Sequence, residues 1–121
     1  MDKEELAEKL AKELGFDFNT ISKAHIISLL EQEIAEHKDD ESSEYIRLLC
    51  GYLFCLGDPS DIPLLKKAKY SINMDVGCMI DGEWIQSLEH NGAADEAVFL
   101  RSRDELIHDF VTYYGGGNDH A

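Results

Sequence analysis

The sequence predicts an all-α domain of about six or seven helices, stacked as antiparallel hairpins in an α-α superhelix or an irregular helical bundle. Three observations predict it. Apolar residues recur at helical spacing along most of the chain. Only two prolines are present, and long stretches lack both Gly and Pro. No run alternates apolar and polar residues for long enough to read as a strand. At 121 residues the chain suits one domain, placed at 1–114, that can bury a core unaided. Gly115-Gly116-Gly117 then opens a flexible tail, 115–121.

Each element has its own signals. Asp2 caps a first helix, with Glu5 at the capping-box offset. Leu6, Ala7, Leu10, Ala11 and Leu14 form its stripe, and Gly15 stops it. Asn19 or Thr20 caps a second helix, whose stripe is Ile21, Ala24, Ile27, Leu30 and Ile34 and whose polar face carries Glu31, Glu33 and Glu36. A polar linker, 37–43, follows. The third helix, opened by Ser42 or Ser43, is apolar nearly all round from Tyr45 to Leu56, which places it at the centre of the core. Ser60 or Asp61 caps a fourth helix with Pro63 in its first turn and Lys66, Lys67 and Lys69 in its last. A fifth runs from Asn73 or Asp75 to Leu88, with a kink expected at Asp81-Gly82. His90-Asn91-Gly92 is a turn, and Ala93 to Leu100 reads as a short helix. Ser102 and Glu105 form a capping box for the last helix, which ends near Tyr114 with Leu106, Ile107, Phe110 and Val111 inward.

The most specific segment is Leu56-Gly57-Asp58-Pro59-Ser60-Asp61-Ile62-Pro63. Gly57 is expected to close one helix with a positive φ, Asp58-Pro59 to make a tight turn, and the next helix to start at once, so that the two helices pack antiparallel. This segment resembles the inter-helix turn of HEAT-like helical repeats over about 25 residues, Tyr45 to Lys69. A wider set is similar to a group of small bacterial HEAT-like proteins, many uncharacterised and some similar to immunity proteins of toxin systems: Tyr52-Leu53-Phe54, Leu56-Gly57-Asp58, Asp61, Lys67-Ala68-Lys69, Asp75, Cys78, Ile80-Asp81 and Leu88. Met79 stands where that group commonly has a second glycine, and no regular second repeat follows. The resemblance implies a cytoplasmic binding protein without enzymatic activity.

Charge points the same way. Eleven Lys and Arg face 25 Asp and Glu, a net charge of −14. The first sixty residues carry −8 and the remainder −6, so the acidity is spread along the chain. Such a surface repels nucleic acid and anionic membrane and attracts basic partners, although it also serves solubility. Seven acids lie between Glu31 and Glu44 against the single Lys38. Glu31, Glu33, Glu36, Asp39, Asp40 and Glu41 are therefore candidates for a face that docks a basic protein such as a nuclease toxin. A second acidic group is Asp58, Asp61, Asp75, Asp81 and Glu83, with Trp84 beside it as either a core residue or an exposed interface anchor.

Chemistry is otherwise sparse. None of the five histidines sits in a recognised catalytic motif, so no enzyme is expected. His37, Asp39, Asp40 and Glu41 lack the pattern of a calcium loop, and Cys50 and Cys55 miss zinc-ligand spacing, so neither metal nor cofactor is expected. Cys50, Cys55 and Cys78 are read as free thiols in apolar settings of a reducing cytosol. The charged start, MDKEELAEKL, has no signal-peptide character, and no apolar run could span a bilayer. Two other functions remain open. One is a structural or regulatory domain that homo-oligomerises through Phe16, Phe18, Tyr113 and Tyr114. The other is a small enzyme with a cysteine nucleophile, Cys78 being the candidate.

Overall fold

In the computed structural model, which describes residues 2–115, the chain is an all-α irregular bundle. Seven α-helices lie among the described residues: α1 Lys3–Leu14, α2 Lys23–Glu36, α3 Glu44–Leu56, α4 Ile62–Tyr70, α5 Met74–Met79, α6 Gly82–Glu89 and α7 Arg103–Tyr114. The expected tail lies outside the described residues apart from Gly115, which caps α7.

The bundle is organised around α3. Every residue from Leu48 to Cys55 is buried, as is Ile46. Complete burial of each Leu, Ile or Phe contributes about 1.5–3 kcal/mol relative to exposure. A helix apolar all round can only sit inside a ring of others, and α1, α2, α4, α5, α6 and α7 all pack on it. Gly51 lets α7 approach: a Cβ there would lie 2.1 Å from the ring of Phe110.

The caps at the chain ends follow the sequence. The Asp2 side chain accepts from the Glu5 amide, Gly15 leaves α1 at φ 65°, and Ser102 and Glu105 cap each other's backbone amides at the start of α7. The middle of the chain differs in several places. Ser22, two or three residues later than expected, caps α2, because Phe18–Thr20, capped by Asp17, first form a 3-10 turn. The buried row of α2 is therefore Ile26, Leu30 and Glu33, and Ala24 faces solvent.

Gly57 does not take a positive φ. It sits at φ −92°, ψ 179°, and its need for glycine is steric. A Cβ would lie 2.4 Å from the Leu53 carbonyl oxygen and 2.7 Å from Asp61 Oδ2. Asp58 and Asp61 form a capping box over the 3-10 turn Pro59–Asp61, which runs directly into α4.

The expected fifth helix is two helices, not one kinked helix. Ile80 is extended (φ −86°, ψ 121°), and the Asp81 side chain recaps the chain by accepting from the Glu83 amide. Lys69 makes the break possible. Its ammonium donates to the Gly77 carbonyl and, at 2.6 Å, to that of Ile80, supplying donors to carbonyls that the end of α5 leaves free.

The helix expected over Ala93 to Leu100 is only the 3-10 turn Glu96–Val98. The Asp95 side chain draws off the Ala97 amide, and Asp95 and Leu100 exchange two backbone hydrogen bonds of 2.8 and 2.9 Å. Closing that loop forces Phe99 to φ 56°, an uncommon conformation for an aromatic residue, with its ring almost wholly exposed.

Because the constraint at Gly57 is steric and its neighbour is backbone, Gly57→Ala should destabilise the protein by about 1–3 kcal/mol. Urea unfolding monitored by circular dichroism measures this, and an unchanged midpoint would refute the packing argument.

Candidate functional site

The thirteen residues singled out from the sequence separate into four groups in space. The first is the turn, where Gly57, Asp58 and Pro59 join α3 to α4. Asp58 does not stand free there. Its carboxylate accepts from the hydroxyl and the amide of Ser60 and lies 3.5 Å from the Lys23 ammonium; these contacts, the Ser60 hydroxyl foremost, hold it below its ordinary pKa. Lys23 is shared with buried Asp61, at 2.6 Å.

The second group is interior, and Glu33 belongs to it. Glu33 is 3% exposed and is not part of a solvent face. Its carboxylate receives Lys3 Nζ at 2.7 Å and contacts His37 Nδ1 at 3.0 Å. The His37 imidazole is itself buried, and its Nε2 has no hydrogen-bond partner among the described residues. The expected stripe ran through Ile27 and Ile34, whereas the buried row runs through Ile26, Leu30 and Glu33, with Lys3 of α1 on the Glu33 carboxylate. Glu41 lies at the edge of this group, 4.0 Å from Lys3. The Lys38 amide, donating to its carboxylate, keeps its pKa low.

The third group, at the start of α6, is gathered around one arginine of the protein. Arg101 donates to Glu83 from its backbone amide, Nε and Nη2, at 3.0–3.2 Å. It also pairs with Asp109 and lies 3.7 Å from Asp81. These Arg101 hydrogen bonds hold Glu83 below its ordinary pKa. Trp84 beside them is core. It is 2% exposed, stacks on Phe54 with centroids 6.1 Å apart, and meets Phe110 edge-on. It therefore presents no exposed anchor.

The fourth group remains on the surface: Glu31, Glu36, Asp39, Asp40 and Asp75 are exposed. Asn73 brings two parts of it together. Its side chain donates to Asp39 Oδ1 at 3.1 Å, joining the α2–α3 loop to the start of α5, while its own Oδ1 caps that helix. Met74, 81% exposed, and Asp75 follow it directly. The structure thus brings Asp39 of the α2–α3 loop to the residue that opens α5.

A further set escaped sequence reasoning. Glu4 and Glu8 on α1, with Glu44 at the start of α3, line an open groove between α1 and α7. The available signal was the i, i+4 spacing of Glu4 and Glu8 beside the small residues Ala7 and Ala11.

The cysteines divide. Cys50 and Cys55 are buried, and burial pushes both thiols up, Cys55 to about 12, far from thiolate chemistry. Cys78 is exposed, contrary to the apolar setting expected for it. Phe16 and Phe18 pack against Tyr52, and Phe16 also meets Phe110 edge-on, so both rings contribute to the core. Tyr114 donates to Glu44 and receives Arg47 at 3.0 Å, leaving Tyr113 as the exposed member of that aromatic set. No group of three or more candidate metal ligands is assembled among the described residues, and no helix among them is long and apolar enough to cross a membrane.

Comparison with known proteins found no matching family model, curated sequence or solved structure.

Two tests follow from the ion pairs. Lys3→Met leaves Glu33 buried beside His37 without its cation, and should cost about 3 kcal/mol in urea unfolding; a loss no larger than that of an exposed-lysine control such as Lys9→Met would refute the pairing. Glu83 has its carboxyl pKa lowered by folding, so its contribution is complete above the unfolded value of about 4.3 and is lost as pH falls through the lower folded value. Unfolding midpoints measured from pH 7 to 3 should decline more steeply below pH ~4.3 in the wild type than in Glu83→Gln. Parallel curves would show that the Arg101 cluster contributes nothing to acid sensitivity.

Proposed function

We propose that this chain is a non-catalytic, immunity-type protein-binding module of HEAT-like construction, engaging a basic protein partner through its acidic helical surface. One observation carries the reading: six of the eleven cations are engaged by carboxylates, carbonyls or hydroxyls of the protein itself, while many carboxylates among the described residues stand on the surface with no cation beside them. Lys3 and Lys23 serve the buried carboxylates of Glu33 and Asp61. Lys69 and Arg103 hold backbone carbonyls. Arg47 binds the Met79 carbonyl and the Tyr114 hydroxyl, and Arg101 is ringed by Glu83, Asp109 and Asp81. With a net charge of −14 the field outside the protein is negative, which favours fast association with a basic surface.

The exposed acids Glu31, Glu36, Asp39, Asp40 and Asp75, with exposed Met74 next to Asp75 in the chain, suit such a partner in composition. Charged residues steer and an apolar side chain supplies contact area. The same field disfavours nucleic acid and anionic membrane as partners.

A pull-down with the intact chain as bait tests this. Bound proteins should be predominantly basic at about 0.1 M salt and should be released at about 1 M, where the Debye length falls from ~10 to ~3 Å. Asp39→Asn combined with Asp40→Asn should reduce capture at the lower salt. A partner retained undiminished in 1 M salt would overturn the electrostatic reading.

A further inference from the structure

We propose that the groove between α1 and α7 is a docking site for a short, extended, basic segment of a partner protein, one that alternates Arg or Lys with apolar side chains. This rests on the reading of a basic partner given above and names the segment that is held and the place that holds it.

The groove has a volume of about 860 Å³ and opens to solvent. That is within the range of ~300–1,000 Å³ seen for sites that enclose a ligand. Its floor is apolar. Ala7 and Ala11, one turn apart on α1, are too small to fill the space to Val111 on α7. Three carboxylates, Glu4, Glu8 and Glu44, line it against a single ammonium, Lys12.

These charges are ordered along the groove. Glu4, Glu8 and Lys12 form one i, i+4 row on α1, so the sign changes from its start to its end. The acidic end also holds Glu44 and Tyr113, and Glu4 is near enough to contribute to the raised pKa of the Tyr113 hydroxyl, behind the hydrogen bond to Glu44 and burial. The opposite end closes where Gly115 meets Phe16, so tightly that a Cβ on Gly115 would lie 2.6 Å from the ring. Glu4 to Lys12 spans about 12 Å at 1.5 Å per residue, the length of about four residues of extended chain.

Glu44 is prepared for a guanidinium. Tyr113 donates to its Oε1 at 2.8 Å and Tyr114 to its Oε2 at 3.2 Å, which fixes the carboxylate plane. Each oxygen keeps a lone pair free to accept a second donor, the arrangement that a bidentate arginine requires. The protein's own Arg47 guanidinium lies 4.3 Å from the Tyr113 ring centroid, so cation–π contact is already in use beside this carboxylate.

Charge selects the occupant. A second copy of a chain at −14 would bring like charge to a carboxylate-lined groove. A purely apolar ligand would leave the three glutamates to be desolvated without partners. A basic segment with alternate apolar residues satisfies both the floor and the rim.

The test is titration of the isotope-labelled full chain with a capped tetrapeptide, Leu-Arg-Leu-Arg, at about 0.1 M salt, followed by amide NMR. Shifts should centre on Ala7, Ala11, Glu44, Val111 and Gly115. Glu4→Gln with Glu8→Gln should weaken binding about tenfold. Glu31→Gln with Glu36→Gln, which removes the same charge from α2, should change it by less than about twofold. Equal weakening by the two pairs, or shifts centred on the α2–α3 loop, overturns the groove and leaves the basic-partner reading standing. A peptide with serine in place of leucine that binds as tightly overturns the role of the apolar floor. Absence of binding by the arginine peptide, with salt-sensitive capture of basic proteins intact, also overturns the groove alone.

Discussion

The structure depends on the complete burial of α3. Most of its side chains are apolar, but its backbone end needs partners, because the last carbonyls of a helix have no donors left within it and the surrounding core is dry. Arg103 meets that need, reaching back from α7 to donate to the Cys55 carbonyl at 2.7 Å while its guanidinium lies over the ring of Phe54. Tyr52 meets another, its hydroxyl donating to the Gly15 carbonyl at the end of α1. The central helix thus binds the first and last helices by polar contacts as well as by packing. Phe110, wedged against Gly51, completes the link between its middle and α7.

Electrostatics follow from this architecture. The breaks in the chain, at Gly57 and at Ile80, leave backbone and side-chain groups that only a cation can satisfy. Lys23 meets Asp61 beside the first break and Lys69 meets the carbonyls of the second. The excess of acids in the composition gives the molecule its outward character.

The sequence made the fold class legible because the strongest signals were local. Asp2, Gly15, Ser102 and Glu105 act within one turn of their own helix, and α3 declares itself by composition alone. What it concealed depended on partners distant along the chain. Glu33 reads as one more surface glutamate unless Lys3 and His37 are known to converge on it. Glu83 reads as a free acid until Arg101, eighteen positions away, is placed beside it. The extended Ile80 could not be anticipated from Asp81-Gly82, since the donor that permits it is Lys69. Gly57 was recognised as necessary for the wrong reason: its obstacle is a neighbouring carbonyl, which no propensity describes. The α1–α7 groove was hidden because it is a space between helices, and only the small size of Ala7 and Ala11 hinted at it.

The engagement of these cations by the protein's own groups has a consequence for how the protein can diverge. Exposed acids such as Glu31 or Asp40 can be exchanged at little cost, since surface substitutions away from specific contacts usually change stability by about half a kcal/mol or less. Lys3, Lys23, Arg47, Lys69, Arg101 and Arg103 cannot drift in that way, because each is bound to a group that would be left bare. Descendants of this sequence would therefore keep their basic residues as a fixed skeleton and vary their acids freely. Net charge and partner preference could then change while the fold stayed still. In such a lineage ancestry would be easier to trace through the few lysines and arginines than through the glutamates that dominate the surface.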